Sequence, residues 1–142
     1  MKNTLITITL ILVSLISNSQ TITVTSQGLQ NYFRPKNLNL KECQDQNLVD
    51  YTFFGNGECD YIFDLDKNVL TMRPWDGSVS NFKIDEFTKS NLFLQVKVQL
   101  TNFVVIYKGG NEEPIFLIEY HDLPDKIEGR FAREEDFTVS VK

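Results

Sequence analysis

Residues Leu92 to Leu100 read LFLQVKVQL, with Leu92, Leu94, Val96, Val98 and Leu100 on one parity and Gln95, Lys97 and Gln99 on the other. Side chains of a β-strand point alternately to its two faces, so this period of two describes a strand with one dry face and one wet face. Such a strand needs neighbours on both edges and an apolar layer over its dry face. The rest of the chain has to supply them.

Candidate partners follow at close spacing: DYTFF (Asp50 to Phe54), YIFDL (Tyr61 to Leu65), VLTMR (Val69 to Arg73), VSNFKIDEF (Val79 to Phe87), FVVIYK (Phe103 to Lys108), PIFLIEY (Pro114 to Tyr120), KIEGRFA (Lys126 to Ala132) and FTVSVK (Phe137 to Lys142). All are rich in β-branched and aromatic residues. Between them stand short polar breaks such as Asp66-Lys67-Asn68, Pro74-Trp75-Asp76-Gly77, Thr101-Asn102 and Gly109-Gly110-Asn111-Glu112-Glu113. A parallel crossover takes roughly a dozen residues, so breaks this short join antiparallel neighbours. The expectation is an all-β antiparallel meander of about eight strands. It forms a small barrel if the first strand pairs with the last, or, as the second choice, a β-sandwich. The segment Ser26 to Asn47 contains Pro35 and shows no clean period; it reads as irregular, with room for one helical turn.

The N-terminus carries one lysine, an apolar run from Leu5 to Ile16, and then Ser17-Asn18-Ser19 ahead of Gln20. The run is shorter than the ~20 residues a membrane span needs, and small residues stand where a signal peptidase cuts. Residues 1–19 are therefore expected to be a signal peptide, residues 20–142 a single secreted β domain, periplasmic or extracellular, with no membrane span after cleavage. The chain has 14 basic and 19 acidic side chains and a formal charge of −5; loss of Lys2 with the leader takes it to −6. Its basic residues form no run, so nucleic acid is not an expected partner. Cys43 and Cys59 allow one pairing, and an oxidising compartment favours a disulfide between them, which stabilises by about 3 kcal/mol in the chain-entropy model.

FDLDKN, Phe63 to Asn68, places Asp64, Asp66 and Asn68 on alternate residues, as in the start of a calcium loop. A helix–loop–helix site also needs glycine at its sixth position and glutamate at its twelfth. Here those positions hold Val69 and Trp75, and the flanks read as strands, so the segment reads as a hairpin turn and no metal site is expected. His121, the one histidine, has no recognisable nucleophile or Gly-x-Ser-x-Gly elbow with it. Glu112-Glu113 and Glu134-Glu135-Asp136 fall in turns, where adjacent acids are a solvated tip, not a glycosidase pair. Gly109-Gly110 lacks the lysine and helix of a phosphate loop. No catalytic residue and no cofactor are expected, and the chain does not read as an enzyme.

Aromatic residues are the compositional excess, with eleven Phe and five Tyr. In FVVIY and PIFLIEY both strand faces are apolar, so something beyond the strand's own core must cover one of them: the segment around Tyr32 and Phe33, a second sheet, or another molecule. In general shape the meander resembles the lipocalin-type calyx, and equally the small periplasmic barrels that inhibit lysozyme. Trp75, in RPWDG, stands between middle strands, whereas a lipocalin places its Gly-x-Trp on the first strand. The expected function is a secreted, non-enzymatic binding module for a small hydrophobic molecule held inside the barrel by Phe63, Leu94, Val96, Val98, Phe103, Val105, Tyr107, Phe116 and Tyr120. The alternative is a protein-binding or inhibitory module that meets a protein partner through an exposed loop or the 103–120 hairpin.

Overall fold

A computed structural model describes residues 20–48, 52–54, 57–107 and 113–142. The expected signal peptide, Asp50 and Tyr51 of the first candidate strand, and the Gly109–Glu112 turn lie outside the described residues. In chain order the elements are β1 (Thr21–Ser26), β2 (Leu29–Pro35), α1 (Leu40–Asp45), β3 (Thr52–Phe54), β4 (Cys59–Asp64), β5 (Val69–Pro74), β6 (Ser80–Lys83), β7 (Glu86–Lys89), β8 (Phe93–Val98), β9 (Thr101–Ile106), β10 (Ile115–Tyr120), β11 (Lys126–Arg133), a 3-10 turn (Glu134–Asp136) and β12 (Phe137–Val141).

The strands form two antiparallel sheets, ordered β12-β1-β4-β5-β6 and β3-β2-β11-β10-β9-β8-β7. From β4 to β11, hairpins join most sequence neighbours edge to edge, as the short breaks require, and β1 pairs with β12. The wall is not one continuous barrel. It is a sandwich-like pair of sheets, the second of the two expected architectures, because the ladder breaks at corners where the chain crosses over. One corner is Gln27-Gly28 between β1 and β2, beside the 3-10 turn between β11 and β12; a second is Ile84-Asp85 between β6 and β7. Few backbone bonds bridge these corners: Gln27 N donates to Asp136 O (2.8 Å), Ile84 N to Asn68 O (2.8 Å) and Asp85 N to Lys97 O (2.9 Å). VSNFKIDEF, expected as one strand, is thus two short strands with a bend.

Between the sheets lies one apolar cluster. Ile22, Val24, Tyr61, Phe63 and Leu70 project from the smaller sheet, and Leu94, Val96, Val98, Phe103, Val105, Phe116 and Ile118 from the larger. Alternation in β8 is as the sequence demands, with Leu94, Val96 and Val98 buried and Gln95 and Lys97 in water. Leu92 and Leu100, at the ends of the pattern, are exposed in turns. The β8–β9 turn is Gln99-Leu100, with Gln99 at φ 54°, and Thr101-Asn102 already belong to β9.

FDLDKN is a hairpin. Leu65–Asn68 link β4 to β5, Asp64 Oδ1 accepts from Lys67 N (3.0 Å), and Asn68 takes φ 53°, a left-handed conformation that asparagine tolerates. Among the described residues no group of three or more His, Cys, Asp or Glu could hold a metal ion, and no helix is long and apolar enough to cross a membrane.

Two further expectations need correction. Residues 26–47 are not irregular. β2 fills a place beside β11, and α1 starts at a capping box in which Asn39 Oδ1 accepts from Glu42 N (2.8 Å) while Glu42 accepts from Asn39 N (2.7 Å). Asn47, at φ 53°, follows the helix and ends it. Nor do the cysteines pair; both thiols are free. Cys43 is buried on α1, which lies against β2 of the larger sheet, whereas Cys59 opens β4 in the smaller one and borders the core. The elements that carry them belong to different sheets, a separation that spacing along the chain cannot reveal.

Candidate functional site

The nine residues expected to line a cavity are brought together, but most of them fill the interior. Phe63, Leu94, Val96, Val98, Phe103, Val105 and Phe116 are all buried. Their rings interlock across the sheets: Tyr61 meets Phe116 edge-on with centroids 4.9 Å apart, Phe63 meets Phe103 at 5.8 Å, and Phe116 meets Phe137 at 6.3 Å. The first two are edge-to-face pairs, which add about 0.5–1.5 kcal/mol each beyond burial, and the third is tilted. Tyr107 and Tyr120 sit half-buried at the border, and Tyr107 Oη donates to Ser90 O (3.3 Å).

Apolar side chains that face inward by register yet stay open to water occur at the second corner, as well as singly at Phe33 of β2 and Val141 of β12. Directly opposed residues in an antiparallel ladder share a face. Phe82 lies opposite buried Leu70, and Phe87 opposite buried Val96, so both rings point toward the space between the sheets. Yet they are 40% and 41% exposed, and every residue of β6 and β7 is exposed. The chain passes from one sheet to the other at Ile84-Asp85, where Ile84 is buried in the core. On either side of that bend, β6 and β7 are edge strands of separate sheets with no ladder between them, and register and exposure together describe a wedge between the two edges.

Ile84, Leu70 and Val96 form the floor of the wedge and Phe82 and Phe87 its two walls. Farther out, Ser80 (opposite Met72) and Lys89 (opposite Leu94) face inward at the lips. Trp75, 74% exposed, stands in the chain between β5 and β6 with its indole against Gly57. Phe82, Phe87 and Lys89 were not among the candidate residues read from sequence. The signal was present as a change of phase: Phe82 and Ile84 share one parity, and Phe87 takes the other.

A second constellation occupies the outer face of the larger sheet. Tyr32 and Glu119 both lie opposite Gly129, so all three point away from the core. The Glu119 carboxylate accepts from Tyr32 Oη (2.6 Å), Arg34 Nε (2.8 Å) and Arg34 Nη2 (3.0 Å). Arg34 Nη1 also donates to Leu38 O, which ties the 36–39 loop to the sheet. Burial works against the Glu119 charge, but the Arg34 and Tyr32 hydrogen bonds outweigh it and hold the carboxyl below its ordinary range. Burial, together with the neighbouring carboxylate, pushes the Tyr32 phenol far up.

His121, just past β10, is partnered after all. Asn102 Nδ2 donates to its Nε2 (2.6 Å), and Glu119 Oε2 lies 4.0 Å away. With three donors already on it, the carboxylate is a clamp joining β2, β10 and the loop before α1, and it has little capacity left for a substrate. Comparison of the chain with protein-family models, curated protein sequences and solved structures finds no match, so its own geometry carries the functional reading.

Proposed function

We propose that the mature chain is a secreted, non-enzymatic binding module that takes the apolar part of a small molecule into the wedge between β6 and β7. The observation that carries this reading is the pair Phe82 and Phe87, which face inward by register and remain about two-fifths exposed. An inward aromatic pair left wet is surface that burial against a ligand would stabilise, at about 25 cal/mol per Å². The packed rings beneath support a ligand held at the mouth of the interior over one held at its centre.

Native mass spectrometry of protein recovered from a secreting host tests this. The expected result is added mass that disappears on denaturation, together with uptake of an environment-sensitive apolar dye that Phe82→Ser abolishes in a folded variant. Bare protein that takes up no dye would overturn the proposal. The alternative, a protein partner on the 103–120 hairpin, draws on Val104, Ile106, Ile115 and Leu117, which form a half-buried apolar set on the outer face of the larger sheet. It requires full dye binding in Phe82→Ser and loss of partner capture on Leu117→Lys.

A further inference from the structure

Resting on the wedge as the binding site, we infer that its ligand is a single-chain amphiphilic anion, an aliphatic carboxylate whose tail lies between Phe82 and Phe87 and whose head group meets Lys89. The order of side chains along the two strands argues for this. From the bend outward, each wall turns from apolar to polar: Ile84, Phe82, Ser80 on one, and Phe87, Lys89 on the other. Lys89 lies opposite buried Leu94, so its stem points inward and its ammonium stands at the lip. A long side chain can keep its stem on apolar surface and its charge in water in this way.

Lys89 is in no ion pair among the described residues, while acids near the wedge already have partners. Glu86, on the outer face of β7, pairs with Lys97 (3.6 Å); Asp76 accepts from Ser78 N (2.9 Å); Asp85 accepts from Gln99 N (2.6 Å). A free cation above an apolar slot, in a chain whose formal charge is −5, is local complementarity to a monoanion and not a general attraction to anions. A lysine presents a compact point charge and not the planar fork of an arginine; with one hydroxyl at the opposite lip, that matches one carboxylate better than a dianionic phosphate. Along β7, from Glu86 to Lys89, the strand advances about 10 Å, at roughly 3.3 Å per residue, so the slot suits a medium-length chain lying along it.

The test is titration of the protein with decanoate, decanol and decylammonium, followed by Trp75 emission and by native mass spectrometry, in the parent, Lys89→Gln and Phe87→Ser. Far-UV dichroism and the urea midpoint establish that each variant is folded. The expected order is decanoate tightest, then decanol, then decylammonium. Lengthening the carboxylate by one methylene tightens binding about fourfold. Lys89→Gln weakens decanoate about 1.5-fold to fivefold, as loss of one exposed ion pair does, and leaves decanol unchanged. If decanoate and decanol bind alike in the parent, or Lys89→Gln affects neither, the head-group assignment falls while the apolar wedge stands. If folded Phe87→Ser binds as the parent does, or none of the three probes binds the parent, the wedge itself is not the site.

Discussion

Replacing Gly129 by alanine tests the outer-face clamp at its tightest point. A Cβ at that position would lie 2.6 Å from Cζ and 2.7 Å from both Cε1 and Oη of Tyr32, where ordinary contacts are 3.4–4 Å. The ring would have to withdraw by about 1 Å to reach an ordinary carbon separation. It has little freedom to do so, since its hydroxyl is held 2.6 Å from Glu119 and its edge meets Phe131 at a centroid distance of 5.9 Å. Overpacking of this kind costs about 1–3 kcal/mol. Loss of one hydrogen bond to a buried carboxylate adds about 1.5–3 kcal/mol. The smaller conformational freedom of alanine in the unfolded chain offsets about 0.4–1 kcal/mol.

The net destabilisation is about 2–5 kcal/mol, read as a lower urea midpoint with an unchanged slope. Repeating the substitution in a Tyr32→Phe background isolates the hydroxyl. Its bond to Glu119 is then already gone, so Gly129→Ala should cost less by about 1.5–3 kcal/mol. A Gly129→Ala protein within about 0.5 kcal/mol of the parent, or a cost unchanged in the Tyr32→Phe background, would refute the reasoning.

The same clamp sets a pH dependence. Glu119 is held below its ordinary value near 4.5, so its contribution is complete above about pH 4.5 and is lost as pH falls through the folded-state value; Glu119→Gln should flatten that acid limb of an unfolding titration. Tyr32 is raised above its ordinary value near 10, so its contribution is intact below pH 10 and declines above it, a limb that Tyr32→Phe should remove. Burial pushes both thiols up, and Cys43 is wholly enclosed, so under native conditions a thiol reagent should label Cys59 slowly and Cys43 only on unfolding, with no mass loss from a bridge. Gly57 combines φ +76° with a would-be Cβ only 2.5 Å from Trp75 Cδ1; Gly57→Ala should displace the indole and shift its emission while costing about 1–2 kcal/mol.

Much of the meander could be read from alternation, because β8, β4 and β5 each bury one face and their polar positions fall between. The FDLDKN turn was equally legible, since a calcium loop fails at Val69 and Trp75 on chemistry alone. β1 was harder: in TITVTS every inner position through Val24 is flanked by threonines, which are strand formers but do not mark a face. α1 is six residues long, too short to show a helical period, though its Asn39-x-x-Glu42 capping box stood in the sequence.

The placement of the cysteines, the parting of β6 from β7 and the meeting of Tyr32, Arg34 and Glu119 depend on which sheet each strand joins. Local composition says little about that choice. One hint was available for the clamp: Glu119 is the single charged residue inside PIFLIEY, and an acid amid apolar neighbours needs a partner if that strand is covered.

The pairing of β1 with β12 sets an order of events. Thr21 N donates to Lys142 O (3.0 Å) and Lys142 N returns to Thr21 O (2.9 Å), so opposite ends of the described chain close a single rung. β1 can form its ladder with β4 early, but its other edge stays bare until the last strand has been made. Contacts this distant in sequence form late, after most loop-closure entropy has been lost, and they slow folding. A growing chain therefore carries an unpaired, threonine-rich edge until β12 is made, and removal of β12 would leave that edge open, where strands of neighbouring copies could add to it.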